Sequence, residues 1–467
     1  MRTTPADETV LPLGQAWRAL AALCLGFFMS LMDQTVFAVA TPEIMKAFDA
    51  RLDEVVWVTS MFLLFFVVPL LVTGRLGDRF GQRTLFQVGV GLFTLSALAA
   101  MFAPTLQWLI VARAFQGMGA AILAPQTMSV INRVFPREHR GAALGAWGAV
   151  GSVATLVGPV VGGFLVGTFG WQGAFMLHLP IGVLAILLAG AWVPRLPTFA
   201  RGLDLLSVLV SLVAMGSLVV AVQQGPVYGW PVWSWILLAV GAAGLVLFIR
   251  MQATAGRRGV EALVPLQLFR NRNYSLGAFS VATLGFSAAS MMLPVMLWLQ
   301  DGRGFTSQQA GLMLVPMAVI AGVGSPLVGR AADRVHPRIL SVAGFTAMIA
   351  GVLAINQIML LDAPSFWFLP AAGLLGVGNA MVWAPNSATA MRSVDIAYMG
   401  AASGVYNTTR QTGAVIGAAA VGAAMQVGSA SLGLVPGLAA SLLLPVAVLV
   451  PGLIAVAFFR ADHVRPG

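Results

Sequence analysis

Charge is scarce in this chain: only 9% of its 467 residues are Asp, Glu, Lys or Arg, against about 25% in a soluble globular protein. With 59% of its residues hydrophobic, it needs lipid as a solvent. Lysine is almost missing. The one Lys46 stands outside any Gly-rich loop, which excludes a Walker A sequence and hence an ATPase within this chain. The single Cys24 excludes an internal disulfide. Histidine is limited to His139, His178, His336 and His463, scattered without metal-ligand spacing. The net charge of +10 raises the question of nucleic acid. The arginines, however, lie between hydrophobic runs, with no basic tail and no aromatic-basic motif, so no nucleic-acid partner is expected. Alternating barrel patterning is also missing.

What is present is a series of apolar runs. Fourteen are expected to be membrane-spanning helices, near 17–41, 54–73, 85–103, 106–130, 141–167, 173–193, 204–223, 232–250, 275–300, 309–328, 339–361, 366–390, 400–425 and 434–459. Runs of about 20 residues match the bilayer core. The first run begins near residue 19 and is full length, so no cleavable signal is expected. With both termini cytoplasmic, 21 Lys/Arg fall inside and three outside (Lys46, Arg51, Arg303), while Arg113 and Arg410 fall within spans. That asymmetry follows the positive-inside rule. The Ala- and Arg-rich composition suggests a GC-rich bacterial genome, hence a bacterial inner or plasma membrane.

The chain repeats itself. "GRLGDRFGQR" (74–83) and "GRAADRVHPR" (329–338) agree at five of ten positions, 255 residues apart. "GMG" (117–119) and "GVG" (376–378), and likewise "GAALG" (141–145) and "GAASG" (400–404), lie 259 apart. Two parallel six-helix halves are therefore expected, residues 1–200 and 256–467, with two inserted helices at 201–255 between them.

Several stretches carry physical signals. Gly74, Gly77 and Gly81 permit a tight turn. Asp78 suits a neighbouring helix N-terminus, where the dipole favours an anion. Pro159 interrupts the hydrogen bonding of its helix, and Gly158, Gly162 and Gly163 allow another helix close. Asp33, in "GFFMSLMDQTVFAVATP" (26–42), is the only acid that falls well inside an expected span. Its depth, about 13 Å from the outer end at 1.5 Å per residue, matches the ~12 Å of Arg113. Depth does not fix facing, so Arg113 and Arg410 both stand as partners for Asp33. An intramembrane acid is a functional candidate by default. Burial and a nearby cation act on its proton affinity in opposite senses, the balance a proton carrier needs.

These stretches resemble the signatures of the major facilitator superfamily, specifically its fourteen-span drug:proton antiporters. Residues 74–83 resemble its loop 2–3 motif, "RAFQGMGAA" (113–121) its fourth-span motif, "GPVVGG" (158–163) its antiporter motif, and "MDQTVFAVATP" (32–42) its first-span motif. The resemblance implies an all-α membrane protein of two six-helix halves plus two inserted helices. It also implies proton-coupled efflux of hydrophobic small molecules by alternating access, without covalent chemistry or a cofactor. Asp33 and Arg113 would couple the proton. Gly74, Asp78, Arg79, Gly81, Arg83, Asp333 and Arg334 would gate the cytoplasmic side, and Gly158, Pro159 and Gly162 would bend the fifth span. Phe37, Gln116, Met292, Met296, Trp383, Asn386, Tyr406, Arg410 and Gln411 become cavity candidates, with a structural role for Arg410 equally open. Proton, substrate and membrane lipid are the expected partners, and a monomer is expected. The sequence departs from the family pattern at Ala38 and Thr41, at Gln172 and Gly173, and at His178, where Asn is usual. His178 reads first as a satisfied helix-end histidine. An exporter of an endogenous lipid or metabolite, a proton-symport importer and a non-transporting receptor remain as alternatives.

Overall fold

The computed structural model describes residues 10–50, 52–198, 204–226, 228–305, 307–332 and 335–460, with no β-strand among them. The helices in order are α1 (Leu13–Ala47), α2 (Leu52–Val67), α3 (Leu70–Phe80), α4 (Gln82–Met101), α5 (Leu106–Val134), α6 (Arg140–Phe169), α7 (Gly173–Met176), α8 (His178–Trp192), α9 (Leu205–Gln224) and α10 (Val232–Ala253). They continue as α11 (Arg272–Ser290), α12 (Met292–Leu297), α13 (Ser307–Met313), α14 (Val315–Ala332), α15 (Pro337–Leu360), α16 (Phe368–Met391), α17 (Met399–Leu432), α18 (Leu434–Ser441) and α19 (Leu443–Ala457). In hydrocarbon each backbone polar group must be satisfied within its own segment, which selects helix throughout.

Among the described residues, twelve helical segments are long and apolar enough to cross a membrane, and thirteen if α2 and α3 count as one crossing bent by 47°. Pro69, immediately before α3, explains the bend, because it has no backbone N–H to continue the ladder. The expected span at 141–167 falls in α6, an unbroken helix of 30 residues. Several of its side chains, that of Pro159 included, lie outside what the structure describes.

The described chain divides into two compact units, and each takes one piece from the other's stretch of sequence. One unit holds the residues up to Pro136, Val153–Leu266 and Asp395–Thr408; the other holds Arg137–Ser152, Gln267–Val394 and the residues from Thr409. In the first, Met32, Val36, Phe37, Leu109, Trp171 and Phe175 share a core. Helices α9 and α10, which the sequence leads one to expect as insertions, belong to this unit, and Trp57 of α2 donates to the Tyr228 hydroxyl at 3.3 Å. In the second unit, Trp298, Leu299, Ile355, Phe368 and Leu375 form the corresponding core.

The repeated glycines pair crosswise. In the first unit, a methyl group on Gly74 of α3 would lie 2.5 Å from the Gly400 carbonyl oxygen and 2.8 Å from the Gly404 Cα. In the second, a methyl on Gly329 of α14 would lie 2.5 Å from the Gly141 carbonyl oxygen and 2.9 Å from the Gly145 Cα. The leading glycine of each copy thus meets the small-residue stretch of the other repeat. Close backbone approach of this kind is how helices associate where lipid removes the hydrophobic drive.

Candidate functional site

The site begins on α1. Asp33 is 2% exposed and Arg113 of α5 is 1% exposed. Nη1 of Arg113 donates to both Asp33 oxygens, at 2.8 and 2.7 Å. The same nitrogen donates to Gln116 Oε1 at 2.8 Å, and Gln116 Nε2 donates to Asp33 Oδ1 at 3.1 Å. Residues 113 and 116 lie one turn apart on α5, so both reach one carboxylate. The result is a closed ring of carboxylate, guanidinium and amide. The guanidinium is also sandwiched: its Cζ lies 4.6 Å from the Phe37 ring centre and 4.3 Å from that of Phe62. Aromatic faces stabilise a desolvated cation by about 2 kcal/mol.

A fourth polar group completes the cluster. His178, the first residue of α8, is fully buried. Its Nε2 lies 3.5 Å from Asp33 Oδ1 and its Nδ1 3.3 Å from the Phe175 carbonyl oxygen. Phe93 of α4 covers the ring, with centroids 5.5 Å apart.

Of the two cations considered for Asp33, the structure brings Arg113 to it. Arg410 lies in the other unit, with its Cζ 6.0 Å from the Trp383 ring centre. Facing direction explains why Phe62, Phe93 and the orientation of His178 escape sequence reading: a uniformly apolar run gives no facing signal. The signal for His178 was its standing as a titratable group at the expected start of a span.

The gating candidates of α3 also acquire partners. Asp78 accepts from the backbone N–H of Gly400 at 3.1 Å and of Ala401 at 3.2 Å, in the first turn of α17. Gln82 Nε2 adds a bond to Asp78 Oδ1 at 3.3 Å. A carboxylate here satisfies orphan N–H groups and complements the helix dipole. Gly81 (φ 89°) ends α3 and precedes α4, a backbone conformation that favours glycine. Arg83 donates to the Val193 carbonyl at 3.2 Å, and Arg79 lies over Phe80. Arg75 pairs with Glu261 at 3.0 Å. Gly158 and Gly162 of α6 face Thr35 and Val36 of α1. Asp333 and Arg334 lie outside the described residues.

The cavity candidates divide between the units. Phe37 and Gln116 belong to the ion-pair cluster and, like Tyr406, are buried in the first unit. In the second, Asn386 accepts from Ser280 Oγ at 2.8 Å and donates to the Gly277 carbonyl at 3.2 Å. Trp383 donates to Asn379 Oδ1 at 3.1 Å. Met292, Met296, Arg410 and Gln411 are half-buried.

Asp78→Ala is expected to lower stability by about 2 kcal/mol or more, because charged hydrogen bonds contribute about 1.5–3 kcal/mol each. Asp78→Asn, which keeps a carbonyl acceptor, should lose less. Thermal unfolding of purified protein in detergent measures both, and unchanged unfolding of the Ala variant would mean that the two bonds do not hold α17.

The profile of the Major Facilitator Superfamily matches residues 23–204 and 199–418. The chain belongs to this superfamily. An uncharacterized MFS-type transporter of Mycobacterium tuberculosis, Rv1250, is 41% identical over 412 residues, covering 88% of this chain and 70% of the relative. Multidrug resistance protein Stp of the same species is 34% identical over 409 residues, 87% of this chain and 75% of the relative. The methylenomycin A resistance protein of Streptomyces coelicolor is 31% identical over 433 residues, 90% and 89% of the two chains. Among solved structures, a superfamily proton:xylose symporter, XylE, aligns over 95% of both chains with a TM-score of 0.69 at 15% identity, a likeness of fold. The protein is therefore an all-helical, multi-pass membrane transporter of this superfamily.

Proposed function

We propose that the protein is a proton-coupled exporter that expels hydrophobic small molecules in exchange for protons. The observation that carries this reading is the closed Asp33–Arg113–Gln116 ring, sealed from solvent inside the first unit. A buried carboxylate with a single cationic partner has two stable conditions. It is either ionised and bonded to Arg113, or protonated and released from it. Proton uptake then trades one set of contacts for another, which is the differential interaction that a conformational change requires. Nothing in such a cycle needs covalent chemistry.

Efflux of drugs or antibiotics is favoured by what relatives are named for, resistance to multiple drugs and to methylenomycin A. The bend motif at 158–163 points the same way. Counting α6 and the bent α2–α3 pair as crossings gives fourteen spans: six-helix halves at 1–200 and 256–467, with α9 and α10 inserted. The distribution of 21 cytoplasmic against three external Lys/Arg favours cytoplasmic termini in a bacterial inner membrane. The Asp78 contact with the first turn of α17 is a latch that opens and closes during the cycle.

Ethidium and a set of lipophilic antibiotics provide the test, in bacteria lacking their own efflux pumps. Cells making the protein should retain less ethidium, and a protonophore should erase the difference. Retention that is lower but insensitive to the protonophore would contradict proton coupling. Unchanged retention and antibiotic tolerance for every compound would contradict drug export.

A further inference from the structure

His178 is not explained by the Asp33–Arg113 pair. Both of its ring nitrogens face oxygen acceptors, the Phe175 carbonyl at 3.3 Å and Asp33 Oδ1 at 3.5 Å. A neutral imidazole has one donor and one acceptor nitrogen. The tautomer that donates from Nδ1 to Phe175 turns the Nε2 lone pair on the Asp33 carboxylate. The other tautomer turns the Nδ1 lone pair on the carbonyl. In either case a fully buried nitrogen meets an oxygen without a proton between them, and Nε2 has no hydrogen-bond partner among the described residues. One added proton removes the conflict.

We infer that His178 is a second proton-holding group of this site, with the coupled proton held between His178 Nε2 and Asp33 Oδ1. The inference rests on the proton-coupling reading above and deepens it. Uptake forms an N–H bond from the Nε2 lone pair as an O–H bond of hydronium breaks and leaves water. Transfer across the same contact forms an O–H bond on Oδ1 and returns the electron pair to Nε2. No oxidant, reductant or further reactant is needed. The groups facing the ring are Asp33 from α1, Arg113 from α5, the Phe93 ring from α4 and the Phe175 carbonyl from α7. The α4 helix carries one charged residue, Arg83, and that side chain is bonded to Val193.

The pairing has a mechanical consequence. An imidazolium at Nε2 competes with Arg113 for Asp33 Oδ1, the oxygen to which Gln116 also donates. Loading the proton therefore loosens the guanidinium from the carboxylate before the carboxylate is itself neutralised. Histidine suits the task because its unperturbed affinity places its charge change near neutral pH, whereas Asn in the same place holds no proton.

Two measurements test this. In the first, ring-15N histidine spectra of the full chain in detergent micelles follow protonation, with His178→Asn assigning the resonance among the four histidines. His178 should titrate within the pH range over which the protein stays folded in the micelles, and its midpoint should fall in Asp33→Asn, where the facing carboxylate that favours the charged ring is gone. Absence of titration in that window, or the same midpoint in both proteins, overturns the inference. In the second, ethidium flux driven by an imposed pH gradient is followed in proteoliposomes for His178→Gln and His178→Asn. Gln reaches toward Asp33 and Asn keeps the contact with Phe175, so a merely structural role is rescued by one of them. The expected result is rescue by neither, with the midpoint of the flux–pH profile displaced toward acid by about one unit or more. A wild-type profile in either variant, alongside an inactive Asp33→Asn, overturns the role of His178 and leaves proton coupling at Asp33 standing. Proton-driven flux in Asp33→Asn overturns the coupling reading, and the role of His178 with it.

Discussion

Asp33→Asn is expected to abolish proton-driven ethidium flux, by about 100-fold or more, the scale set by losing a positioned proton-transfer group. Asn keeps the size of Asp and part of its hydrogen bonding, so the variant should still insert and bind substrate. It should not be energetically silent. Arg113 keeps its bond to Gln116 Oε1 and its contacts with Phe37 and Phe62, but its charge loses the only carboxylate that bonds it among the described residues. Removing one partner of a buried pair costs about 3–5 kcal/mol in general. The two aromatic faces, at about 2 kcal/mol each for a desolvated cation, offset part of that. A lowered but cooperative unfolding transition in detergent, together with lost proton-driven flux, is the expected pair of results. Full proton-driven flux would remove Asp33 from the mechanism.

Arg113→Leu is expected to be equally inactive but less destabilised. The two charges are not symmetric, because a carboxylate left alone can take up a proton and become neutral, while a guanidinium cannot lose one. In Arg113→Leu the carboxyl keeps its bond from Gln116, so the site folds but lacks the cation that displaces the proton. The double variant Asp33→Asn/Arg113→Leu should then be more stable than Asp33→Asn alone. A double-mutant cycle on unfolding free energies should give a coupling of about 2 kcal/mol or more for residues in direct contact. Additive effects would mean that the bonds at 2.8 and 2.7 Å contribute nothing to the folded state.

Much of this was legible in the sequence, for identifiable reasons. Bilayer thickness turns apolar run length into spans, and most expected runs coincide with observed helices. Depth followed from residue counting, so Asp33 and Arg113 could be matched before their contact was seen. Facing could not be counted. This is why Phe62 and the orientation of His178 toward Asp33 stayed hidden, and why Arg410 remained a rival partner until it was found beside Trp383. The glycine repeats were plain at spacings of 255 and 259 residues, yet their crosswise pairing was not, since a small-residue stretch does not specify which helix approaches it. Asp78 is the contrasting case: an acid at a tight turn has few good partners other than a helix N-terminus, and the first turn of α17 is where it was found.

Proton antiport is tested most directly by ethidium flux in proteoliposomes of the purified wild-type protein, with the pH gradient imposed first in one direction and then in the other. Antiport predicts ethidium accumulation when the interior is acidic, no accumulation without a gradient, and expulsion of preloaded ethidium when the exterior is acidic. Accumulation driven by an acidic exterior, or flux indifferent to the gradient, would contradict it.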